Sequence, residues 1–196
     1  MTDEAVKQPG KWAKRLILAA IVQTLLAVIV TGYLLYQGVY GRPAASRIVA
    51  NGSAGMWLTV GFFAFIIFGP ITMALAAGQF RQLESHLGRI ATRWKSYLLW
   101  LALVLYNVGI VGGTWLMMHA GYRGGAAQLP VTSGGLGWTG AQAGLVHSQI
   151  MGVYPPYIAA FLAAALAGAF LGLVGYLLVW MRPAKVPARA GPVPAQ

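Results

Sequence analysis

The chain has 196 residues, of which 58% are hydrophobic and only 9% are charged, and its mean hydropathy is +0.67. An average soluble domain is about 25% charged, so this composition excludes a soluble globular protein as well as a polar, disordered one. Fourteen Lys and Arg residues stand against three acidic residues, for a formal net charge of +11. Cysteine is absent, which excludes disulfides, iron–sulfur clusters and cysteine catalysis. What remains is a polytopic membrane protein.

Four apolar runs are long enough to cross the roughly 30 Å hydrocarbon core of a bilayer, which takes about 20 helical residues. They cover residues 16–37, 56–77, 97–118 and 157–180. Each is predicted to be helical, because lipid offers unpaired backbone groups no hydrogen-bond partner. The sequence therefore predicts an all-α integral membrane bundle of four transmembrane helices, forming one domain over residues 1–182. No small-residue cleavage site follows the first run, so we expect it to be a retained helix.

The basic residues are distributed unevenly between the two ends of these runs. Eleven lie at one end, namely Lys7, Lys11, Lys14, Arg15, Arg81, Arg89, Arg93, Lys95, Arg182, Lys185 and Arg189, and three lie at the other, namely Arg42, Arg47 and Arg123. The positive-inside rule then places both termini in the cytoplasm and the protein in the inner (plasma) membrane. Bases between apolar runs indicate orientation, so we predict no nucleic-acid partner. The cytoplasmic tail, residues 183–196, is rich in Pro and Ala and is expected to be disordered.

Two irregular segments are predicted outside this simple pattern. Pro70 follows Gly69 within the second run, where we expect a kink. The third loop, residues 120–156, is the long extramembrane segment, and its stretch 139–151 could form a short helix on the outer surface. Pro155 and Pro156 then restart the chain into the fourth span, since proline is tolerated in the first turn of a helix.

Small residues recur at helical spacing in the last two spans. The third span contains Gly109 and Gly113, and the fourth contains Ala160, Ala164, Gly168 and Gly172, spaced four apart. Such residues let the backbone of a neighbouring helix approach closely. We favour helix packing within the protein's own bundle, because a small bundle needs such seams itself. Binding of a partner subunit is the alternative.

Three isolated polar residues, Gln23, Asn107 and Thr114, lie within the spans. Each could cross-link helices through hydrogen bonds worth about 1 kcal/mol or less. The alternative makes Asn107 a ligand or quinone contact. No acidic residue lies in a span, which leaves no obvious proton relay. No Walker loop, His-Glu-x-x-His or Gly-x-Ser-x-Gly motif is present, and we assign no catalytic residue.

The three histidines fall at the ends of the spans. His86 lies in the basic loop beside Glu84, where we expect it to be solvated. His119 ends the third span and His147 precedes the fourth, which places both at the outer membrane surface. Neutral imidazole is a common ligand of haem iron and other metals. His119 and His147 are therefore the candidate cofactor-binding residues, with a haem edge or a quinol head as ligand, while interfacial histidines without such a role are the alternative. We assign no separate metal site.

Three phrases between residues 52 and 157 carry a family resemblance. They are Gly52-Ser-Ala-Gly-Met-Trp57-Leu-Thr-Val-Gly-Phe-Phe63, Trp100 with Leu103-Val-Leu-Tyr106, and Val153-Tyr-Pro-Pro-Tyr157. Through them, residues from about 50 to 180 resemble the last three helices of haem–copper oxidase catalytic subunits, in the group of C-type cytochrome oxidases and nitric oxide reductases. In that family the helix matching the second span opens with a His-x-His pair that holds two haems. Residues 49–52 contain no histidine, so no haem ligand carries over.

The resemblance implies a truncated relative or an accessory subunit near a respiratory complex, whose haem and copper belong to a partner. Our first hypothesis is a non-catalytic, multi-pass subunit of such an electron-transfer complex, in contact with membrane lipid, other integral membrane subunits and a quinol. One alternative is a small cytochrome b ligated by His119 and His147. Another is a transporter or channel component that uses Gln23, Asn107, Thr114 and the break at Gly69-Pro70.

Overall fold

The computed structural model describes residues 10–181, and this part of the chain is helical without a β-strand. Its helices are α1 (Lys11–Tyr40), the short α2 (Ala45–Ala50), α3 (Ser53–His86), α4 (Arg93–Gln128) and α5 (Tyr154–Trp180). Four of them, α1, α3, α4 and α5, are long and apolar enough to cross a membrane. The predicted all-α membrane bundle of four spanning helices is confirmed. The tail 183–196, with its predicted disorder, and the basic residues Lys7, Arg182, Lys185 and Arg189 lie outside the described residues.

Two of the spanning helices continue well past the apolar runs that predicted them. Helix α4 extends from the predicted end at residue 118 to Gln128, so Arg123 lies in its last turns and not in a loop. Helix α3 continues to His86, which places Glu84 in a helix as well. Hydropathy marks where a helix leaves the hydrocarbon, whereas the helix itself ends where its packing and backbone hydrogen bonds end.

Side-chain contacts define the two ends of the bundle. At one end, the backbone N–H groups at the start of α1 reach Glu84 near the end of α3, and Lys95 near the start of α4 donates to the Leu178 carbonyl of α5. We call this the basic end, because Lys11, Lys14, Arg15, Arg81, Arg89, Arg93 and Lys95 lie there. At the opposite end, the Tyr122 hydroxyl of α4 donates to the carbonyl of Pro43, which follows α1, at 3.1 Å.

Helix α4 lies in the middle of the arrangement. It packs along α5 over most of its length and against the first half of α3, while α1 packs against the second half of α3. The face of α5 that packs on α4 is buried or half-buried at Tyr154, Ile158, Phe161, Ala165, Gly168, Gly172, Gly175 and Val179. These positions are three and four apart in alternation, which is the spacing of left-handed coiled-coil packing.

The connections at the opposite end fold back onto the helices. The expected short helix over residues 139–151 occurs as successive helical turns, Gly140–Gln142, Ala143–Leu145 and the wider Val146–Ile150. Val146 anchors this segment, since it is fully buried in a cluster with Ala54, Ala120 and Met151. Helix α5 then starts with its two prolines in the first turn, as their tolerance at that position predicts.

Candidate functional site

A hydrogen bond between Gln23 and Asn107 joins α1 to α4 within the spans. Gln23 is only 2% exposed, and its Nε2 donates to Asn107 Oδ1. Asn107 Nδ2 in turn donates to the Leu103 carbonyl one turn earlier, at 2.7 Å. The side-chain oxygen of Gln23, Oε1, faces Gly69 of α3. A Cβ added to Gly69 would lie 2.2 Å from this oxygen. The helix cross-link predicted for Gln23 and Asn107 is thus present, and Gly69 provides the space for it.

The predicted kink at Pro70 takes the form of a π-helical turn, Ile67–Ile71. Proline has no N–H to donate, so the turn widens and leaves backbone carbonyls that need other partners. The Thr72 hydroxyl donates to the Ile67 carbonyl at 2.9 Å, and the Tyr106 hydroxyl of α4 donates to the Phe68 carbonyl at 2.8 Å. The break in α3 is therefore stabilised from α4, and Tyr106 belongs to the same polar region as Asn107.

Thr114 does not form the interhelical cross-link that we expected. Its hydroxyl donates to the Ile110 carbonyl of its own helix at 2.6 Å. A threonine within a helix readily bonds one turn back, and this local partner is always in reach. The Thr114 backbone does contact α3. A Cβ added to Gly61 of α3 would lie 2.9 Å from the Thr114 carbonyl oxygen.

The glycines of the third and fourth spans lie in the interface between α4 and α5. A Cβ on Gly109 would lie 2.4 Å from the Ala165 backbone nitrogen, and one on Gly168 would lie 2.4 Å from the Tyr106 backbone nitrogen. A Cβ on Gly113 would lie 3.1 Å from the Leu162 side chain, and one on Gly172 would lie 3.8 Å from the Ala102 side chain. These four positions pack the protein's own helices, which is the interpretation we favoured.

The two alanines of the predicted stripe lie elsewhere. Ala160 is exposed and Ala164 is half-buried, while Ala165 occupies the buried position of that turn. A strict spacing of four drifts around a helix with 3.6 residues per turn, whereas alternating steps of three and four keep to one face. Ala160 is therefore available on the surface of α5.

A second close crossing, between α3 and α4, was not foreseen from the sequence. A Cβ on Gly121 would lie 2.0 Å from the Leu58 backbone nitrogen, and one on Gly125 would lie 2.9 Å from the Gly55 Cα, both on α3. The sequence predicts both glycines to lie in the third loop, residues 120–156. Their spacing of four is the signal that could have revealed this interface.

Of the two candidate cofactor residues, His119 has a defined partner. Its Nδ1 lies 3.0 Å from the Tyr154 hydroxyl, and the two rings meet edge to face with centroids 5.6 Å apart. Tyr154 is buried at the first residue of α5, whereas the His119 side chain is exposed at the opposite end of α4. The pair ties α4 to α5.

His147 lies on the helical turn Val146–Ile150 and is exposed. No hydrogen bond joins it to His119, and no group of three His, Asp or Glu residues within positions 10–181 is arranged to hold a metal ion. Both side chains are exposed, and the cofactor role of His119 and His147 stays a prediction.

Glu84 has a structural role that the sequence did not reveal. Its carboxylate accepts the backbone N–H groups of Trp12, at 3.1 Å, and of Ala13, at 3.0 Å, in the first turn of α1. A helix N-terminus carries partial positive charge and unpaired donors, so a carboxylate there stabilises it. His86, two residues later, is exposed, in the setting we expected for it.

An apolar cavity of about 390 Å³ lies between α1, α3, α4 and α5 in the half of the bundle near the basic end. Its walls include Met73, Ala102, Tyr106, Gly172 and Tyr176. The Tyr176 ring meets Phe80 edge to face, with centroids 5.5 Å apart, at one side of this space. The volume falls in the range of small-ligand pockets, about 300–1,000 Å³.

Residues 10–181 thus define a multi-pass, all-α membrane protein whose spanning helices are joined by close glycine crossings and a few polar cross-links. Compared with known proteins, the chain matches no protein-family model, no curated protein and no solved structure. The resemblance to haem–copper oxidases therefore has no support beyond the three sequence phrases.

Proposed function

We propose that this chain is a non-catalytic, multi-pass subunit of a respiratory electron-transfer complex of the haem–copper oxidase or nitric oxide reductase type. The haem and copper of the complex belong to its partner subunit. The resemblance of the sequence phrases supports the type of complex. The observation that carries the subunit role is a surface of α5 that is suited to a further helix.

This surface, the alanine face, consists of Ala159, Ala160, Ala163 and Ala167. All four residues are exposed and lie on the side of α5 away from α4. Helices associate in lipid through small residues that let two backbones approach, since burial from water supplies no driving force there. Helix α4 already occupies the glycine-rich face of α5, so the alanine face remains for a partner subunit.

The alanine face can be tested with the double variant Ala163→Leu, Ala167→Leu. We expect the wild-type protein, isolated in mild detergent from its own membranes, to bring down a haem-containing membrane protein. The double variant should recover at least tenfold less haem absorbance, because two isobutyl groups keep the partner helix away. Ala74→Leu, at an exposed alanine of α3, is the matched control and should recover haem like wild type. Isolation of the wild-type chain without haem or partner would refute the proposed function.

We further propose that the basic end faces the cytoplasm, on the basis of the positive-inside rule. Because the chain contains no cysteine, a single introduced cysteine reports on one position only. His86→Cys at the basic end and Ser148→Cys at the opposite end are both exposed positions. In intact cells, a membrane-impermeant maleimide should label Ser148→Cys within minutes and His86→Cys only after permeabilisation. The reverse pattern would invert the orientation.

The same proposal includes a quinol, and we place it in the apolar cavity between α1, α3, α4 and α5. Its volume and its aromatic wall at Phe80 and Tyr176 support a planar ring as occupant.

A further inference from the structure

A polar pocket lies at the basic end, between the start of α1, the α3–α4 connection and the start of α4. It encloses about 700 Å³ and is lined by three cationic side chains, those of Lys11, Arg15 and Arg93. Thr92 and Ser96 add hydroxyl groups, and Thr92 Oγ1 is buried without a hydrogen-bond partner. We call this cavity the basic pocket.

One carboxylate, that of Glu84, also lines the basic pocket. Its oxygens already accept the backbone N–H groups of Trp12 and Ala13. The pocket therefore contains three cationic side chains and one carboxylate, and the hydrogen bonds of that carboxylate are made to α1. The net charge of the lining side chains is positive, which complements an anionic group.

Arg15, which lines this pocket, is held by two indole rings. Its guanidinium carbon lies 4.6 Å from the centroid of Trp12 and 4.9 Å from that of Trp100, and the two rings meet edge to face. Cation–π contacts of this kind fix the guanidinium plane while leaving its N–H groups free to donate. Tryptophan also prefers the headgroup level of a bilayer, which places Arg15 at that depth.

A lipid-facing groove between α1 and α4 adjoins the basic pocket, because Arg15 and Trp100 line both. It has a volume of about 400 Å³, and its walls are Leu18, Ala19, Val22, Gln23, Leu26, Leu103, Val104, Asn107, Val108 and Val111. From Arg15 to Leu26 the helix rises about 16 Å at 1.5 Å per residue. That length is close to half of the roughly 30 Å hydrocarbon core, so the groove spans one leaflet.

We propose that the basic pocket and the α1–α4 groove together bind one anionic phospholipid. Its phosphate lies among Lys11, Arg15 and Arg93, and one acyl chain lies along the groove. Guanidinium groups match phosphate through paired hydrogen bonds. Beyond the headgroup level the groove walls are apolar except for the amides of Gln23 and Asn107, which are hydrogen-bonded to each other. The charge of the pocket selects against a zwitterionic lipid, while the groove selects against a soluble phosphate compound.

The charge part of the proposal can be tested by titrating the full-length protein in detergent with phosphatidylglycerol and with phosphatidylcholine of the same acyl chains, read by native mass spectrometry. We expect one tightly bound phosphatidylglycerol. The double variant Lys11→Gln, Arg15→Gln should bind it about 30-fold more weakly, since each base near an anionic lipid contributes about a factor of five. Lys14→Gln, Arg81→Gln removes two exposed bases from the same end without touching the pocket, and it should bind like wild type.

The groove part is tested by Val104→Trp, which fills the groove from an exposed position, against Val60→Trp at an exposed position of α3. We expect at least tenfold weaker phosphatidylglycerol binding for Val104→Trp and no change for Val60→Trp. Glycerol 3-phosphate at millimolar concentration should not displace the lipid. Equal binding of the two lipids, equal losses in a variant and its control, or displacement by glycerol 3-phosphate would overturn the proposal.

Discussion

The Gly168→Leu variant is expected to be less stable than the wild-type protein by about 3 kcal/mol, in the upper part of the range for overpacked interiors. An added Cβ at this position already meets the Tyr106 backbone nitrogen at 2.4 Å and the Ala102 carbonyl oxygen at 2.8 Å. A side chain could relieve such a clash by changing its rotamer, but the backbone atoms of a neighbouring helix cannot. The α4–α5 interface must therefore open over its middle turns, and the contacts on both sides of Gly168 weaken with it.

The free energy of unfolding in mixed micelles, followed by tryptophan fluorescence, measures this loss. Gly32→Leu in α1 is the matched control, because a Cβ on Gly32 meets no atom within 4 Å. We expect the control to remain within about 0.5 kcal/mol of wild type, as surface substitutions usually do. Similar stabilities for Gly168→Leu and Gly32→Leu would mean that α4 and α5 do not cross at this glycine.

Removing the hydroxyl of Tyr106 is expected to cost about 2 kcal/mol, although Tyr106→Phe deletes a single atom. The hydroxyl donates to the Phe68 carbonyl in the π-helical turn around Pro70. Without it, a backbone carbonyl within a span has lost its side-chain donor, and leaving such a group unpaired costs about 1–3 kcal/mol. Water does not reach this depth to replace the donor.

The same unfolding measurement, applied to Tyr106→Phe, checks this value, with Tyr97→Phe as control at an exposed tyrosine of α4. A second comparison makes the test specific to the helix break. In a Pro70→Ala background α3 can close into a regular helix that satisfies its own carbonyls, so Tyr106→Phe should then cost less than about 1 kcal/mol. An undiminished cost in that background would contradict the role assigned to Tyr106.

The number and approximate position of the spanning helices followed from hydropathy alone, because hydrocarbon imposes one demand on every span. The cross-link between Gln23 and Asn107 was also predictable, since an isolated amide in lipid needs another amide or a backbone group. Thr114 was not predictable in the same way. A hydroxyl can bond the preceding turn of its own helix, and nothing in the sequence distinguishes that partner from one on a neighbouring helix.

Contacts between distant segments were the part that sequence reasoning did not reach. Glycine at positions 121 and 125 was assigned to a loop, because a low hydropathy window resembles a helix end even when the helix continues in contact with α3. The basic pocket draws on Lys11, Arg15 and Arg93, residues that served only to orient the chain when read along the sequence. His119 shows the same limit, since its partner Tyr154 is separated from it by 35 positions of chain.

The carboxylate that holds the first turn of α1 comes 72 positions later in the chain than Trp12. The ribosome therefore releases α1 into the bilayer while the amide groups at its beginning still lack their acceptor. The first turn of α1 can therefore reach its final hydrogen bonding only after the second spanning helix has been synthesised and packed beside it.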